Sequence, residues 1–224
     1  MKEAGAGNGP RSFDDSASPD SSRPLSFVLA TANPDKAREI VAIVYDIAGD
    51  AIELRPRPAD VPDVAETGDT LEENARLKAQ ALVDATGVAA IADDTGLEVD
   101  ALGGAPGVYS ARFAGEKASY ADNVAKLLVE LDSVLVTDGG RRARFRTVAI
   151  ACFPGGGELV AHGVVDGVIA ADGRGTGGFG YDPVFVPDGG DGRTYAEMSL
   201  AEKSALSHRG KAFRALAAGL LSGS

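Results

Sequence analysis

The chain has 224 residues, of which 44% are apolar and 25% are charged, an ordinary composition for a soluble globular protein. Its 22 basic and 33 acidic residues give a formal charge of −11, so bulk electrostatic attraction to nucleic acid or to an anionic membrane is not expected. The single cysteine, Cys152, excludes an internal disulfide and a cysteine-based zinc site, and it fits a reducing compartment.

Residues 1–24 are rich in Gly, Ser, Asp and Pro and carry hardly any large apolar side chain. Such a segment cannot offset the entropy lost on ordering, so a disordered tail is expected. It also lacks the apolar core of a signal peptide, and no stretch of the chain approaches about 18 consecutive apolar residues. These features predict a cytoplasmic protein in which residues 25–224 form a single domain.

From Leu25 onward, short apolar runs alternate with helical periodicity. The run LSFVLAT predicts a buried strand, AIELRP predicts a second strand, and Pro34 marks the first turn of a helix between them. After a loop over residues 55–69, Thr70 and Glu73 form a capping box that starts a second helix. VAAIA then predicts a third strand that ends at two adjacent carboxylates. The predicted apolar face of the first helix comprises Ile40, Val41, Val44 and Ile47.

The second half of the chain predicts a helix over residues 120–134, two long strands joined by a PGGG hairpin turn, and a closing helix over residues 207–221. Interleaved helices and strands, together with the hairpin, favour an α/β or mixed α+β sheet around a cleft. In such open sheets ligands bind at the carboxyl ends of the strands. Arg142, Arg144 and Arg146 share one strand face, which we expect to be solvated or to face another subunit rather than to bind nucleic acid.

Polar side chains cluster where the first strand meets its helix, in the segment ATANPDK. Backbone N–H groups at a helix N-terminus attract phosphate, and Asn33 and Lys36 add a neutral donor and a cation one helical turn apart. A capped helix with a surface lysine is the alternative. On the next helix, Asn74 and Lys78 share a face that either points into a cleft or pairs with neighbouring glutamates, and Glu66 precedes them as a further anionic ligand.

Two adjacent carboxylates, Asp93 and Asp94, follow the third apolar run. In strand geometry they lie on opposite faces, so only one of them has to face a cleft. Carboxylate oxygens are what Mg²⁺ prefers when it bridges a protein to substrate phosphates, although either aspartate also suits a turn or a helix cap. In GTGGFGYDPVF, the glycines around Phe179 allow close approach to a flat ligand on which the ring can stack; a glycine-rich turn is the alternative.

The segment EMSLAEKSALSHRGKAF carries three potential donors, Lys203, His208 and Arg209. Ser199 and Glu202 predict a capping box that starts a short helix before them. An arginine in the first turn of a helix opposes the helix dipole, so Arg209 is expected to have a partner such as an anion or a carbonyl group.

The segments TANPDK, ETGDTLEENARLKA, ADDTGLEVDALGGAPGVYSARF, GTGGFGYDPVF and EMSLAEKSALSHRGKA occur in this order, and the chain thereby resembles the Ham1/RdgB family of non-canonical purine nucleoside triphosphate pyrophosphatases over essentially residues 26–221. The resemblance implies a two-lobed mixed α/β fold around a central cleft and a homodimer. It also implies Mg²⁺-dependent conversion of dITP, ITP and XTP to the monophosphate and pyrophosphate, which cleanses the nucleotide pool of deaminated purines. The alternatives are a Maf-type nucleotide pyrophosphatase and a non-catalytic nucleotide sensor.

The same resemblance implies a set of site residues. Asp94 matches a catalytic carboxylate that also holds Mg²⁺, and Glu66 matches a second metal ligand, while either Asp93 or Asp94 orients the attacking water. Ala32 stands where many relatives have glycine. The implied substrate-binding residues are Thr31, Ala32, Asn33, Pro34, Asp35 and Lys36 for the triphosphate, Thr95, the base pocket of Phe179, Gly180, Tyr181 and Asp182, and the contacts Lys203, His208 and Arg209.

Overall fold

The computed structural model describes residues 24–134 and 140–223, and in these residues one mixed sheet is flanked by helices. The predicted mixed α/β class is confirmed, whereas residues 1–23 of the predicted tail lie outside the described residues. The strands are β1 (Leu25–Leu29), β2 (Ile52–Arg55), β3 (Ala90–Val99), β4 (Pro106–Gly107), β5 (Arg142–Cys152), β6 (Glu158–Ile169) and β7 (Phe185–Pro187). The α-helices are α1 (Pro34–Ala48), α2 (Leu71–Thr86), α3 (Tyr120–Ser133), α4 (Leu200–Leu206) and α5 (His208–Ser222).

The sheet splits along one edge of β3. The strand order is β2-β1-β3-β5-β6-β7, with β1 parallel to β2 and β3, and with β4 paired to β3 as an extra antiparallel strand. β1 reaches only Ala90 and Ile91 of β3, while β4 pairs with Leu97 and Glu98. Among the described strands, residues 92–96 therefore pair with β5 alone. The cleft of the protein opens at this gap.

One face of the sheet carries two apolar cores separated by a polar layer. α1 and α5 cover the first core, around Ile91 and Ala149, and the second core packs around Leu97 and Phe145. Between them, Thr95, Thr147 and Gly163 lie directly opposite one another on β3, β5 and β6. α2 covers a third core on the other face of the sheet. The polar layer therefore lies at the floor of the cleft, between the two cores.

The helix boundaries largely follow the capping signals in the sequence. Thr70 and Glu73 form the predicted capping box of α2, and Gly87 ends that helix in a left-handed conformation. The predicted apolar face of α1 is wrong at Val41, which is 46% exposed, whereas Ile43 is buried. Positions three, four and seven residues apart form one stripe on a helix, and Val41 lies about 100° away from Ile40 around the axis.

The prediction that the third strand ends at the carboxylates is wrong, because β3 continues through Asp93 and Asp94 to Val99. β5 pairs with β3 along its whole length, from Ala90 opposite Cys152 to Val99 opposite Ala143, and this pairing keeps the backbone extended. Strand geometry thus persists at the two aspartates. Their side chains point to opposite faces of the sheet, as expected for such a pair.

The arginine face of β5 is occupied by ion pairs with acidic side chains. Arg142 contacts Asp188 at 2.7 Å, and Arg144 contacts Asp100 at 3.1 Å. The positive charges of this face therefore already have acidic partners within the chain, and whether the face is solvated or meets another subunit stays a prediction. Separately, none of the helices in residues 24–134 and 140–223 is long and apolar enough to cross a bilayer.

Candidate active site

Two adjoining cavities form one cleft at the split in the sheet. The first encloses about 720 Å³ of space that is continuous with solvent. Asn33, Lys36, Glu66 and Ala111 line both cavities and join them. The first cavity adds aromatic walls and buried polar groups: Phe145, Phe179, Tyr181, Asp182, Lys203, His208 and Arg209. The second adds Thr31 and Ala32 together with three cations: Arg57, Lys78 and Arg112.

A chain of alternating charges crosses the junction of the two cavities. The Nζ atom of Lys78 lies 2.9 Å from Oδ1 of Asp94 and 2.9 Å from Oε1 of Glu66. The other carboxylate oxygen of Glu66 accepts a hydrogen bond from Arg112 at 3.2 Å. Two carboxylates that are 28 positions apart in the sequence thus share one ammonium group. Both carboxylates therefore face the position that the ammonium of Lys78 occupies.

The surroundings of these charges shift their pKa values in different directions. Burial raises the pKa of Asp94 above its usual range, although Lys78 and Lys36 oppose this effect. Burial also opposes the charges of Lys78 and Glu66, but their carboxylate and ammonium partners outweigh it, so the pKa of Lys78 is raised and the pKa of Glu66 is lowered. Asp94 is therefore the carboxylate of this group whose affinity for a proton is enhanced.

Asp93 points to the other face of β3 and has different partners. Its Oδ2 atom lies 3.5 Å from Nζ of Lys36 and 3.3 Å from Nε of Arg209, and it accepts a hydrogen bond from the hydroxyl of Thr95. Burial opposes the charge of Asp93, but Lys36 and Arg209 outweigh it and hold the pKa of Asp93 well below its usual range. Asp93 is not among the residues that line the two cavities of the described chain. It acts as an ionised anchor for two cations.

The segment that starts α1 presents side chains to the cleft, but its helix N–H groups are used internally. Oδ1 of Asn33 accepts hydrogen bonds from the N–H groups of Asp35 and Lys36, and the carbonyl oxygen of Asn33 accepts that of Ala37. Asn33 thus caps these amides as in the alternative of a capped helix, and their contact with a phosphate stays a prediction. Thr31, Ala32, Asn33 and Lys36 line the cleft, whereas Pro34 starts the helix and Asp35 pairs with Arg38 away from both cavities.

The turn that carries Phe179 depends on glycine at the preceding position. Gly178 has a φ of +68°, and a Cβ atom there would overlap the carboxylate of Asp182. That carboxylate accepts hydrogen bonds from the N–H of Phe179 at 2.8 Å and from Nζ of Lys203 at 2.6 Å. Asp182 thus fixes the backbone at Phe179 and the ammonium of Lys203. Gly180 and Tyr181 also line the cavity, and the Tyr181 hydroxyl donates to the carbonyl oxygen of Ser110.

A buried glutamate, Glu39, joins two cations that line the first cavity, Lys203 and Arg209. Its carboxylate pairs with Lys203 at 2.9 Å and forms a hydrogen bond with the guanidinium of Arg209. The partner that the sequence requires for Arg209 is therefore a pair of carboxylates, Glu39 and Asp93, within the protein. Lys203 and Arg209 also lie over the ring of Phe179, at 4.7 Å and 5.4 Å from its centre.

His208 is held as a neutral imidazole in the polar layer. Its Nδ1 atom lies 2.7 Å from the hydroxyl of Thr147, which lies 2.7 Å from the hydroxyl of Thr95. The imidazole stacks on Phe145, with ring centres 4.4 Å apart. Burial, with the nearby charges of Arg209 and Lys203, lowers the pKa of His208 well below 6.5. His208 can therefore donate or accept one hydrogen bond, but it does not bring a positive charge.

Sequence reasoning missed several of these residues. A charged residue inside the apolar stripe of α1 is the signal that could have identified Glu39. The segment YSARF contains Arg112 without showing where it points, and no pattern identifies Arg57 or Thr147. Asn74, which the sequence paired with Lys78, is buried and accepts a hydrogen bond from the N–H of Gly68 instead of lining the cleft.

The fold and the cleft define a class of protein: a mixed α/β protein with one aromatic, hydrogen-bonding pocket that adjoins a cluster of cations and carboxylates. Residues 27–219 match the Ham1 family, and the chain belongs to that family. Proteins named dITP/XTP pyrophosphatase from Geobacter sulfurreducens and Streptomyces avermitilis are 49% and 47% identical over 190 and 192 residues, covering 85% of this chain and 94% of each relative.

Solved structures support the same assignment. A HAM1 protein from Coxiella burnetii superimposes with a TM-score of 0.78 at 40% identity, covering 88% of this chain and 99% of the other. The Ham1 protein of Staphylococcus aureus gives a TM-score of 0.75 at 39% identity, covering 89% and 100%. The fold that the sequence predicted is therefore the fold of solved family members.

Proposed function

We propose that this protein hydrolyses non-canonical purine nucleoside triphosphates, namely dITP, ITP and XTP, to the nucleoside monophosphate and pyrophosphate. Cleansing the nucleotide pool of deaminated purines is the role this reaction serves. The observation that carries the proposal is that one cleft joins the stacking ring of Phe179 to the carboxylate and ammonium cluster around Asp94. The dITP/XTP pyrophosphatase names of the relatives support dITP and XTP among these substrates.

The carboxylates at the junction fit a divalent cation. Asp94 and Glu66 already share the ammonium of Lys78, so their oxygens converge on one position. No group of three or more His, Cys, Asp or Glu side chains in the described residues suits a metal ion, and Mg²⁺ commonly uses one or two carboxylates and takes its other ligands from water and substrate phosphates. We propose that Asp94 and Glu66 hold Mg²⁺, which when bound offsets phosphate charge and stabilises the leaving pyrophosphate.

Asp94 is the residue that we assign to the attacking water. It lines the cleft, so its carboxylate is placed to accept a proton from a water molecule there. In the proposed step the water oxygen bonds to the α-phosphorus while the bond from that phosphorus to the bridging oxygen breaks. Asp94 takes the proton, and pyrophosphate leaves with the bonding electrons. Asp93 serves a different purpose, because it fixes Lys36 and Arg209 in place.

The cations of the second cavity compensate for the charge of the substrate. The protein carries a net charge of −11, so a polyanionic triphosphate has to be attracted locally. Lys36, Lys78, Arg57 and Arg112 converge on the cavity that Thr31 and Ala32 line. We propose that the triphosphate lies there, with its charge met by side chains rather than by the N–H groups of α1.

Selection of the base follows from the hydrogen-bonding groups of the first cavity. Hypoxanthine and xanthine carry an acceptor oxygen at the 6-position, where adenine carries a donor amino group. Arg209 presents donors, and so does the neutral imidazole of His208 in the tautomer that carries its proton on Nε2. Adenine would therefore leave donors facing each other and a buried polar group unpaired. Thr95 and Thr147 fix His208, and Glu39 fixes Arg209.

A pyrophosphate-release assay tests the proposal. The protein is incubated, with and without Mg²⁺, with each of five nucleotides: ITP, dITP, XTP, GTP and ATP. Inorganic pyrophosphatase then converts the released pyrophosphate to phosphate, and the phosphate is measured. We expect turnover of the first three with Mg²⁺ and a loss of at least about tenfold in kcat/KM for ATP. Equal turnover of ATP and ITP would contradict the proposed selection of the base by the donors of the first cavity. Preference for pyrimidine nucleotides would support a Maf-type activity, and binding without turnover would support a nucleotide sensor.

We propose further that the protein is a cytoplasmic homodimer, in which residues 25–224 form a single two-lobed domain. Light scattering is expected to give twice the mass of one chain, and cell fractionation is expected to place the activity in the cytoplasm. A single cooperative unfolding transition is expected for one domain. A monomer in solution or two separate transitions would contradict these statements.

A further inference from the structure

Tyr120, the first residue of α3, bridges the two ends of the cleft. Its hydroxyl accepts a hydrogen bond from Nδ2 of Asn33 at 2.8 Å, and Asn33 belongs to the segment that starts α1. Its ring lies 5.8 Å from the ring of Phe179, with the two planes tilted by 41°. All three residues line the same cavity. One side chain therefore contacts both the proposed triphosphate segment and the proposed base pocket.

The backbone that carries Tyr120 is fixed to the wall of the cleft. Ser119 starts the helix with a capping box. One turn further along, Oδ1 of Asn123 accepts a hydrogen bond from the N–H of Ala114, and its Nδ2 donates to the carbonyl oxygen of Ala111. Ala111 itself lines both cavities. The hydrogen bonds of α3 and of Asn123 thus set the position of the Tyr120 backbone. Tyr120 itself is 41% exposed, and rotation about its side-chain bonds allows the ring to shift.

We propose, on the basis of the function proposed above, that Tyr120 contacts the substrate and forms with Phe179 the two aromatic walls of the nucleoside site. Two stacking separations of about 3.5 Å require ring centres about 7 Å apart, which is more than the observed 5.8 Å. The ring of Tyr120 therefore moves outward by roughly 1 Å when the nucleoside enters. Its hydroxyl group, next to Asn33, keeps the ring over the junction of nucleoside and triphosphate.

Binding of the product IMP to the intact protein reports this contact directly. The chain has no tryptophan and five tyrosines, so its ultraviolet emission comes from tyrosine. We expect IMP to quench part of this emission in the wild type and equally in Tyr45→Phe, whose side chain is 65% exposed on α1 outside the two cavities. In Tyr120→Phe the quenching amplitude falls by more than half, while calorimetry still detects IMP binding.

Kinetics with ITP separate stacking from a structural role. Loss of one base–aromatic contact raises the KM of Tyr120→Ala about tenfold, with kcat within about threefold of the wild type. Tyr120→Phe retains the ring and keeps KM within about threefold, and Tyr45→Ala matches the wild type. The unfolding midpoint of Tyr120→Ala is expected to match that of Tyr45→Ala, because both side chains are exposed.

A wild-type KM in Tyr120→Ala would overturn the assignment, as would a KM in Tyr120→Phe as high as that in Tyr120→Ala. A Tyr120→Ala defect that appears together with a changed mass in light scattering would assign Tyr120 to a subunit contact and would also overturn it. If the wild type fails to hydrolyse ITP but IMP still quenches Tyr120, the proposed function fails while the nucleoside contact stands.

Discussion

The ammonium of Lys78 lies 2.9 Å from the carboxylate of Asp94, on the face of β3 that packs against α2. It also contacts Glu66 at the same distance, so it occupies the position on which both proposed metal ligands converge. A divalent cation placed at this position would compete with the ammonium for Oδ1 of Asp94 and Oε1 of Glu66. Substrate phosphates in the second cavity offer Lys78 an alternative partner.

We predict that Lys78→Met increases the affinity of the nucleotide-free protein for a divalent cation about tenfold, because the competing ammonium is removed. Calorimetric titration with Mn²⁺ or Mg²⁺ measures the affinity, and the exposed Lys117→Met provides the control. The same Lys78 variant is expected to raise the KM for ITP, since it lacks a phosphate partner. An unchanged or weaker cation affinity in Lys78→Met would show that the ammonium does not compete for the site.

Asp94→Asn is predicted to lower kcat for ITP by at least about 100-fold, because the amide neither accepts the proton of the attacking water nor binds a metal strongly. The side chain keeps its shape, so the circular dichroism spectrum should be unchanged. Pyrophosphate release measures the loss of turnover, and the thermal midpoint shows whether the variant has also lost stability. Near-normal turnover in this variant would remove Asp94 from the catalytic role.

Asp93→Asn is predicted to act mainly on stability. Arg209 stays buried and Lys36 half-buried with one carboxylate fewer, and breaking a buried ion pair such as that of Asp93 with Arg209 costs about 3–5 kcal/mol. Urea denaturation measures the change in the free energy of unfolding. The matched control is Asp191→Asn, which removes an exposed pair with Arg193 and should cost less than about 1 kcal/mol. Equal costs for the two variants would contradict the anchoring role of Asp93.

The two aspartates should also affect the pH dependence of stability in opposite directions. The pKa of Asp93 is lowered on folding, so its contribution is present above the unfolded pKa and is lost as the pH falls through the folded pKa. The pKa of Asp94 is raised, so its ionised form destabilises the fold near neutral pH and acidification relieves this cost.

Between about pH 6 and about pH 3, the free energy of unfolding should therefore fall more steeply in Asp94→Asn than in the wild type, and less steeply in Asp93→Asn. Urea titrations at several pH values in this window measure the three slopes. The opposite order of the two variants would show that the pKa shifts have been assigned to the wrong aspartates.

Local features of this fold could be predicted because the interacting residues are close in sequence. Thr70 with Glu73 and Ser199 with Glu202 are three positions apart, and both capping boxes form as expected. The long hairpin of β5 and β6 and the apolar stripe of α5 follow from periodicity in the same way. In these elements the residues that stabilise the structure are the residues that form the pattern.

The remainder of the site could not be predicted, because its contacts join distant parts of the chain. Glu39 and Arg209 are 170 positions apart, and the hydroxyls of Thr95 and Thr147 are 52 positions apart. The continuation of β3 past its carboxylates depends on pairing with β5, which periodicity in the preceding run does not show. The five motifs predicted Asp94, Phe179 and Arg209 as site residues, and the fold shows that they line one cavity and which groups hold them.

Gly163 allows α5 to approach the sheet closely enough for His208 to contact Thr147. It lies opposite Thr147 on β6, where the first turn of α5 approaches the sheet. A Cβ atom at this position would overlap the carbonyl oxygen of His208 and would lie 2.7 Å from the backbone nitrogen of Ala212. Because both atoms belong to the helix backbone, rotation of a side chain cannot relieve the overlap. The helix has to move away from the strand instead.

We predict that Gly163→Ala lowers the free energy of unfolding by about 1–3 kcal/mol through overpacking, and lowers turnover of ITP further than this loss of folded protein explains. Moving α5 lengthens the hydrogen bond between Thr147 and His208 and displaces Arg209, so the proposed base pocket loses its geometry. Gly189→Ala is the control, since a Cβ atom there meets nothing within 4 Å. Urea denaturation and ITP kinetics on both variants make the comparison, and similar behaviour of the two would show that α5 does not depend on this close approach.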